Sequence, residues 1–211
     1  MTEIISIHQD QADYPLQFTS VLEVDAPASL STLGNLDLLQ KQALGIFVSV
    51  RCPGRFILQA HDLAQDLRRA GVPTISGFHS PVEREVLTIL LRGEQPIVLC
   101  PARSLARMRI PKEYRVPLEA GRLLLLSPFD ERVRRATVQT AQRRNQLVAA
   151  LAEMVFIAYA APGGKTEAFC KEVLAWGKPL YTFEENKSLI EMGAMGITAQ
   201  SATLFLDPKT Q

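Results

Sequence analysis

The residues best placed to do chemistry sit in three short turns and on one helix. Ala161-Pro162-Gly163-Gly164-Lys165-Thr166 sets two glycines ahead of a lysine and a threonine. Glycines let backbone N–H groups close on an anion, Lys165 adds a point charge, and the Thr166 hydroxyl can donate a hydrogen bond. The run is not a Walker A loop, because Tyr159 stands where that motif needs its first glycine. It reads as a phosphate contact or as a tight turn with Thr166 as helix cap. A second turn, Ser76-Gly77-Phe78-His79-Ser80-Pro81-Val82-Glu83, contains a capping box. Ser80 caps, Pro81 opens the helix and Glu83 closes the box, which leaves Ser76 and Gly77 as the ligand candidates. In the third, Ser49-Val50-Arg51-Cys52-Pro53-Gly54, Arg51 is either a phosphate contact at the rim or a surface charge. His79 reads as a solvated loop residue, for which His8 and His61 offer no partner.

The helix is predicted from about Glu131 to Ala152. On a wheel of about 100° per residue, Val133, Leu147, Val148 and Leu151 share an apolar face with Arg144 in its middle. An inward arginine must be compensated, since a bare buried charge costs several kcal/mol. Arg144 therefore either joins a structural ion pair or serves an anionic ligand. Arg132, Arg135 and Arg143 fall on another face and form a basic strip, or simply a solvated helix surface.

These residues need a scaffold, and the chain supplies one by alternating apolar β-type runs with helical patterns. Runs at Ile46 to Val50, Val72 to Ile75, Ile97 to Cys100, Leu123 to Leu126, Val155 to Tyr159 and Leu180 to Phe183 read as strands. Helices are expected from Phe56 to Ala70, ending at Gly71, from Pro81 to about Arg92, from Thr166 to Trp176 and from Lys187 to Met192. Ala202 to Leu206 reads as an edge strand. The expected class is α/β, a Rossmann-like three-layer fold with a mostly parallel central sheet. In such sheets ligands bind beyond the C-terminal strand ends, where all three turns fall. Residues 1–45 read as a lead-in packed on the core, and residues 46–211 as the Rossmann-like unit of a single globular domain.

Composition narrows the function classes. In 211 residues, 23 basic against 22 acidic side chains leave a net charge of +1. Blanket electrostatic binding of nucleic acid usually needs a domain pI above about 9, so a polyanion would have to meet a local basic patch. Five arginines between Arg132 and Arg144 provide one. Cys52, Cys100 and Cys170 are far apart, with no CxxC pair and no histidine at zinc spacing, and read as reduced thiols of a cytoplasmic protein. No apolar run spans a bilayer, no export signal opens the chain, and no cofactor motif is evident.

Taken in order, the motifs resemble the Rossmann-like domain of the DprA/Smf DNA-processing family, within a wider group that includes the LOG-type phosphoribohydrolases. Tyr14-Pro15, Pro27 to Leu30, Gly34-Asn35 and Leu38-Leu39 match the family's lead-in. Arg51 matches the arginine of its first loop, Ser76-Gly77 its Ser-Gly loop, and Arg144-Asn145 the Arg-Asn of its helix. Gly163-Gly164-Lys165-Thr166 match its Gly/Ser-rich loop, and Asn186, Leu189-Ile190 and Gly193-Ala194 its closing motif. The resemblance implies non-catalytic binding of single-stranded DNA during DNA uptake and recombination, contact with a RecA-type recombinase, and a homodimer. Its phosphate track would run over Arg51, Ser76, Gly77, Arg144, Asn145 and Gly163 to Thr166, extended by Arg132, Arg135 and Arg143. The alternatives are a small-nucleotide sensor or LOG-like phosphoribohydrolase, with Glu167 as its first residue to test, and a partner-binding protein with a decayed site.

Overall fold

Side chains that alternate along the central strands leave the sheet two apolar faces, and both must be covered. The computed structural model describes residues 3–206. Its strands are β1 (Ile5–His8), β2 (Ser29–Gly34), β3 (Leu44–Phe47), β4 (Thr74–Ser76), β5 (Ile97–Leu99), β6 (Leu123–Ser127), β7 (Met154–Ile157), β8 (Leu180–Phe183) and β9 (Met195–Ile197). The helices are α1 (Leu16–Leu22), α2 (Gly54–Ala70), α3 (Pro81–Leu90), α4 (Lys112–Glu119), α5 (Val138–Leu151), α6 (Lys165–Ala175) and α7 (Lys187–Glu191).

One sheet runs in the order β1-β2-β6-β5-β4-β3-β7-β8-β9. From β3 to β6 the chain adds strands in one direction, and from β7 to β9 in the other. The reversal lies between β3 and β7, which pair in parallel with Ile46 opposite Phe156. Ile46, Phe156 and Leu125 join one core with Phe56, Leu63 and Leu67 of α2 and Val86 and Leu90 of α3. Their neighbours Phe47, Val155 and Leu124 join the other, with Phe18 of α1, Leu147 and Val148 of α5 and Phe169 of α6. The expected three layers are therefore present, and the sheet is parallel apart from β1 and β2.

The segment before residue 46 does more than pack on the sheet. Its β2 pairs antiparallel with β6, and β1 with β2, so it lengthens the sheet on the β6 side. Two of the lead-in's motif residues hold this arrangement. The Tyr14 hydroxyl donates to the Pro27 carbonyl at 2.6 Å, and the Asn35 amide donates to the Gly121 carbonyl at 3.3 Å.

Three expectations are corrected. The long helix begins seven residues later than about Glu131, at Val138, because Thr137 caps it through a reciprocal pair with Thr140. Val133 is therefore a loop residue, and so are Arg132 and Arg135; they share no helix face with Arg143. Ala202–Phe205 is a 3-10 helix against α2 and not an edge strand, and β9 forms that edge. The helix α4, with Pro117 inside it, carries no expectation from the sequence. Residues 207–211, the last of the expected 46–211 unit, lie outside the described residues.

Candidate functional site

The groove of interest opens where the sheet topology reverses, beyond the C-terminal ends of β3, β4 and β7. That is where parallel sheets leave a crevice, since the loops on either side depart to opposite faces. Its volume is about 560 Å³. Val48 and Val50 after β3, His79, Ser80 and Glu83 before and within α3, residues from the first turns of α5 and the start of α6 line it.

Glu83 organises the β4 side. Its carboxylate accepts from the His79 and Ser80 amides at 2.7 and 3.1 Å, which closes the expected capping box. The other oxygen accepts from the Val48 amide at 2.9 Å, so one side chain ties the end of β3 to the start of α3.

Arg144 enters from α5 and is 4% exposed. Nη1 donates to the Cys100 carbonyl at 2.9 Å and Nε donates to the Asn145 side-chain oxygen at 2.8 Å. Burial pushes the guanidinium below its ordinary value, and the negative field of Glu83 opposes that shift. Among the described residues Arg144 joins no direct ion pair: its charge is held by a carbonyl, an amide oxygen and the field of a nearby carboxylate that it does not touch. Gly77 makes this possible, because a Cβ there would coincide with the Arg144 guanidinium. The Ser76 hydroxyl donates to the Ile46 carbonyl at 2.6 Å and accepts from the Phe78 amide at 3.2 Å. Of the Ser-Gly pair, then, Ser76 braces the strand ends and Gly77 clears space for Arg144.

Across the groove the β7 loop is built differently. Helix α6 starts at Lys165, and its N-cap position, Gly164, offers no side-chain cap. Thr166 is thus one residue inside the helix rather than its cap. Gly163 has φ of +68°, a region that disfavours other residues, and its amide donates to Glu167 at 2.6 Å. Lys165 and Thr166 line the groove, and neither engages in an ion pair or side-chain hydrogen bond among the described residues. The groove's other carboxylate, Glu172, accepts from the Gln146 amide at 2.5 Å.

The remaining candidates divide. Arg143 lines the groove but turns its guanidinium to Asp25, bonding that residue's carbonyl and lying 3.8 Å from its carboxylate. Arg51 is exposed in the loop beside Val50 and does not line the groove. Arg132 pairs with Asp130 at 3.2 Å, and Arg135 is exposed between that turn and α5. The sequence reading missed Val50 and Val138, apolar side chains left 70% and 54% exposed at the groove's edge. Their only signal in the sequence was position, one at a strand's C-terminal end and the other just after a cap.

The sequence model of the family described as DNA recombination-mediator protein A matches residues 5–210. The chain belongs to that family. DNA processing protein A from Streptococcus pneumoniae superposes with a TM-score of 0.79 at 19% identity, over 96% of this chain and 74% of that one. DNA processing protein A from Helicobacter pylori, solved to describe its single-stranded DNA binding mode, superposes with a TM-score of 0.77 at 20% identity, over 98% of both chains. The molybdenum cofactor carrier protein of Chlamydomonas reinhardtii gives a TM-score of 0.53 at 15% identity, over 79% of this chain and 96% of that one. No curated protein matches the sequence. For a DNA recombination-mediator protein A chain, the Rossmann-like sheet with its β3/β7 reversal is the family fold.

Proposed function

We propose that this chain binds the phosphates of single-stranded DNA in the groove at the β3/β7 reversal, without breaking a bond, as a DNA-processing protein of uptake and recombination. The carrying observation is the charge state of the groove. Lys165, Arg143 and Arg144 line it against Glu83 and Glu172, and both carboxylates are already engaged by hydrogen-bond donors. What faces an incoming anion is therefore the α6 N-terminus with Lys165 and Thr166, over a positive field set by Arg144. Asn145 also lines the groove, its side-chain oxygen accepting from Arg144 Nε. Val50 and Val138 give bases an apolar edge, though not the aromatic faces on which stacking is worth about 1–3 kcal/mol per base. The family membership and the single-stranded DNA described for the Helicobacter pylori protein support the same reading.

The test is fluorescence anisotropy with a labelled oligo-dT at low salt. Saturable binding is expected, with log K falling against log salt by about 0.7 for each phosphate neutralised. No binding at low salt overturns the proposal. The homodimer, the RecA-type partner and the cytoplasmic setting belong to this same reading, and light scattering on the eluted protein tests the first.

A further inference from the structure

A second basic cavity lies beside the groove, over the C-terminal ends of β5 and β6. Arg103, Arg107 and Arg134 line it with Ala106 and Glu131, around about 200 Å³. Its walls are two loops fastened to each other: the Ser104 amide donates to the Val133 carbonyl at 2.9 Å. The Ser127 hydroxyl holds the Arg103 carbonyl at 2.8 Å, and the Ser104 hydroxyl accepts from the Ala106 amide at 3.1 Å. Arg107 has φ of +57°, a left-handed conformation that costs an L-residue roughly 1–2 kcal/mol.

None of the three arginines joins an ion pair among the described residues, although Arg132 next to them does. The Arg103 Nε is buried and has no hydrogen-bond partner. Three arginines without an ion pair thus line a small space with a single carboxylate. An oxyanion would supply the missing countercharge, since the guanidinium fork matches phosphate oxygens in pairs. The cavity is smaller than the roughly 300–1,000 Å³ pockets that enclose whole small molecules, which suits one phosphate group.

We infer that this cavity is a phosphate subsite separate from the groove. Resting on the proposed function, it takes a backbone phosphate of a strand that leaves the groove past Arg135. Val138 on the groove's edge is four positions after Arg134, a span of at most about 14 Å. The same chemistry would accept inorganic phosphate or a free nucleotide's phosphate.

Two measurements test it. The first titrates inorganic pyrophosphate into the protein and follows the arginine Nε–H signals by NMR. A saturable shift of the Arg103 signal that disappears in Arg134→Gln is expected, and an unmoved Arg103 signal overturns the site. The second compares salt slopes for a short oligo-dT that only fills the groove and a long one of about 15 nucleotides. Arg107→Gln, an exposed change, should lower the slope by about 0.7 for the long strand and leave the short one unaltered. A pyrophosphate response with unaltered slopes assigns the cavity to free phosphates and overturns the strand source. If wild-type protein binds no oligonucleotide at all, the groove proposal fails while the pyrophosphate titration still decides the cavity.

Discussion

The two walls of the groove carry similar residue types and treat them in opposite ways. On the β4 wall the buried polar side chains are committed: Ser76 spans two strands, Glu83 collects three amides, and Arg144 is wedged over Gly77. On the β7 wall Lys165 and Thr166 stand at an uncapped helix start, with no partner side chain among the described residues. The difference separates frame from contact. A side chain whose hydrogen bonds are all made within the protein sets shape and field, whereas one left open can exchange water for ligand.

Alkaline unfolding strains both walls at once and should be the largest effect. Burial pushes Cys100, whose carbonyl holds Arg144, and Cys170 in α6 up to about 12, while both unfolded thiols ionise near 9. A raised folded value means the unfolded state sheds its protons first. Stability is therefore intact below pH 9 and falls progressively between about pH 9 and 12, as the unfolded thiols ionise and the folded ones do not. Denaturant melts across that range should show the fall, and Cys100→Ala should lessen its slope.

Next in size, Gly77→Ala forces the Arg144 guanidinium out of its seat and should cost about 3 kcal/mol or more, combining overpacking with a displaced buried charge. A thermal melt lowered by less than about 2 °C would show that the β4 wall is not the rigid frame described. Glu83→Gln keeps the shape but turns an amide N–H₂ toward backbone donors. A loss of about 1–3 kcal/mol is expected, along with weaker oligonucleotide binding as the Arg144 field changes.

Lys165→Ala is the smallest perturbation of the fold and the most telling for binding. Stability should move by no more than about 0.5 kcal/mol, while the salt slope for oligo-dT drops by about 0.7. Equal losses of stability in Lys165→Ala and Gly77→Ala would erase the distinction between the walls.

What the sequence showed, and what it hid, follows the range of the interactions. The Ser80 capping box and the helix stop at Gly71 depend on neighbours a few residues away, and both are where the sequence put them. The strands that are buried on both faces were legible as continuous apolar runs. The start of α5 was misplaced because Val133 happens to fit the 3.6-residue period, while the cap that decides the matter, Thr137 with Thr140, lies further on. Strand β9 is three residues long and buries only Ile197, and β1 buries only Ile7, so neither forms the continuous apolar run of a central strand.

Arg144 was legible as an inward charge, but its seat was not. Gly77 lies 67 positions earlier, and the Cys100 carbonyl that receives Nη1 lies 44 earlier. Glu83 read as a local cap is also a bridge to Val48, 35 residues back. Such long-range pairings depend on which strands become neighbours, which no short window of residues encodes.

The hydrogen bond from the Gly163 amide to Glu167 has a thermodynamic consequence of its own. The Gly163 amide already holds a carboxylate supplied four residues later by the first turn of α6. Any phosphate that takes that amide must evict Glu167, so occupation is a substitution between two anions and only their difference in affinity remains as net gain. Filling that amide would free the Glu167 carboxylate toward Lys171, already 3.6 Å away, so the lysine's field sets part of the exchange.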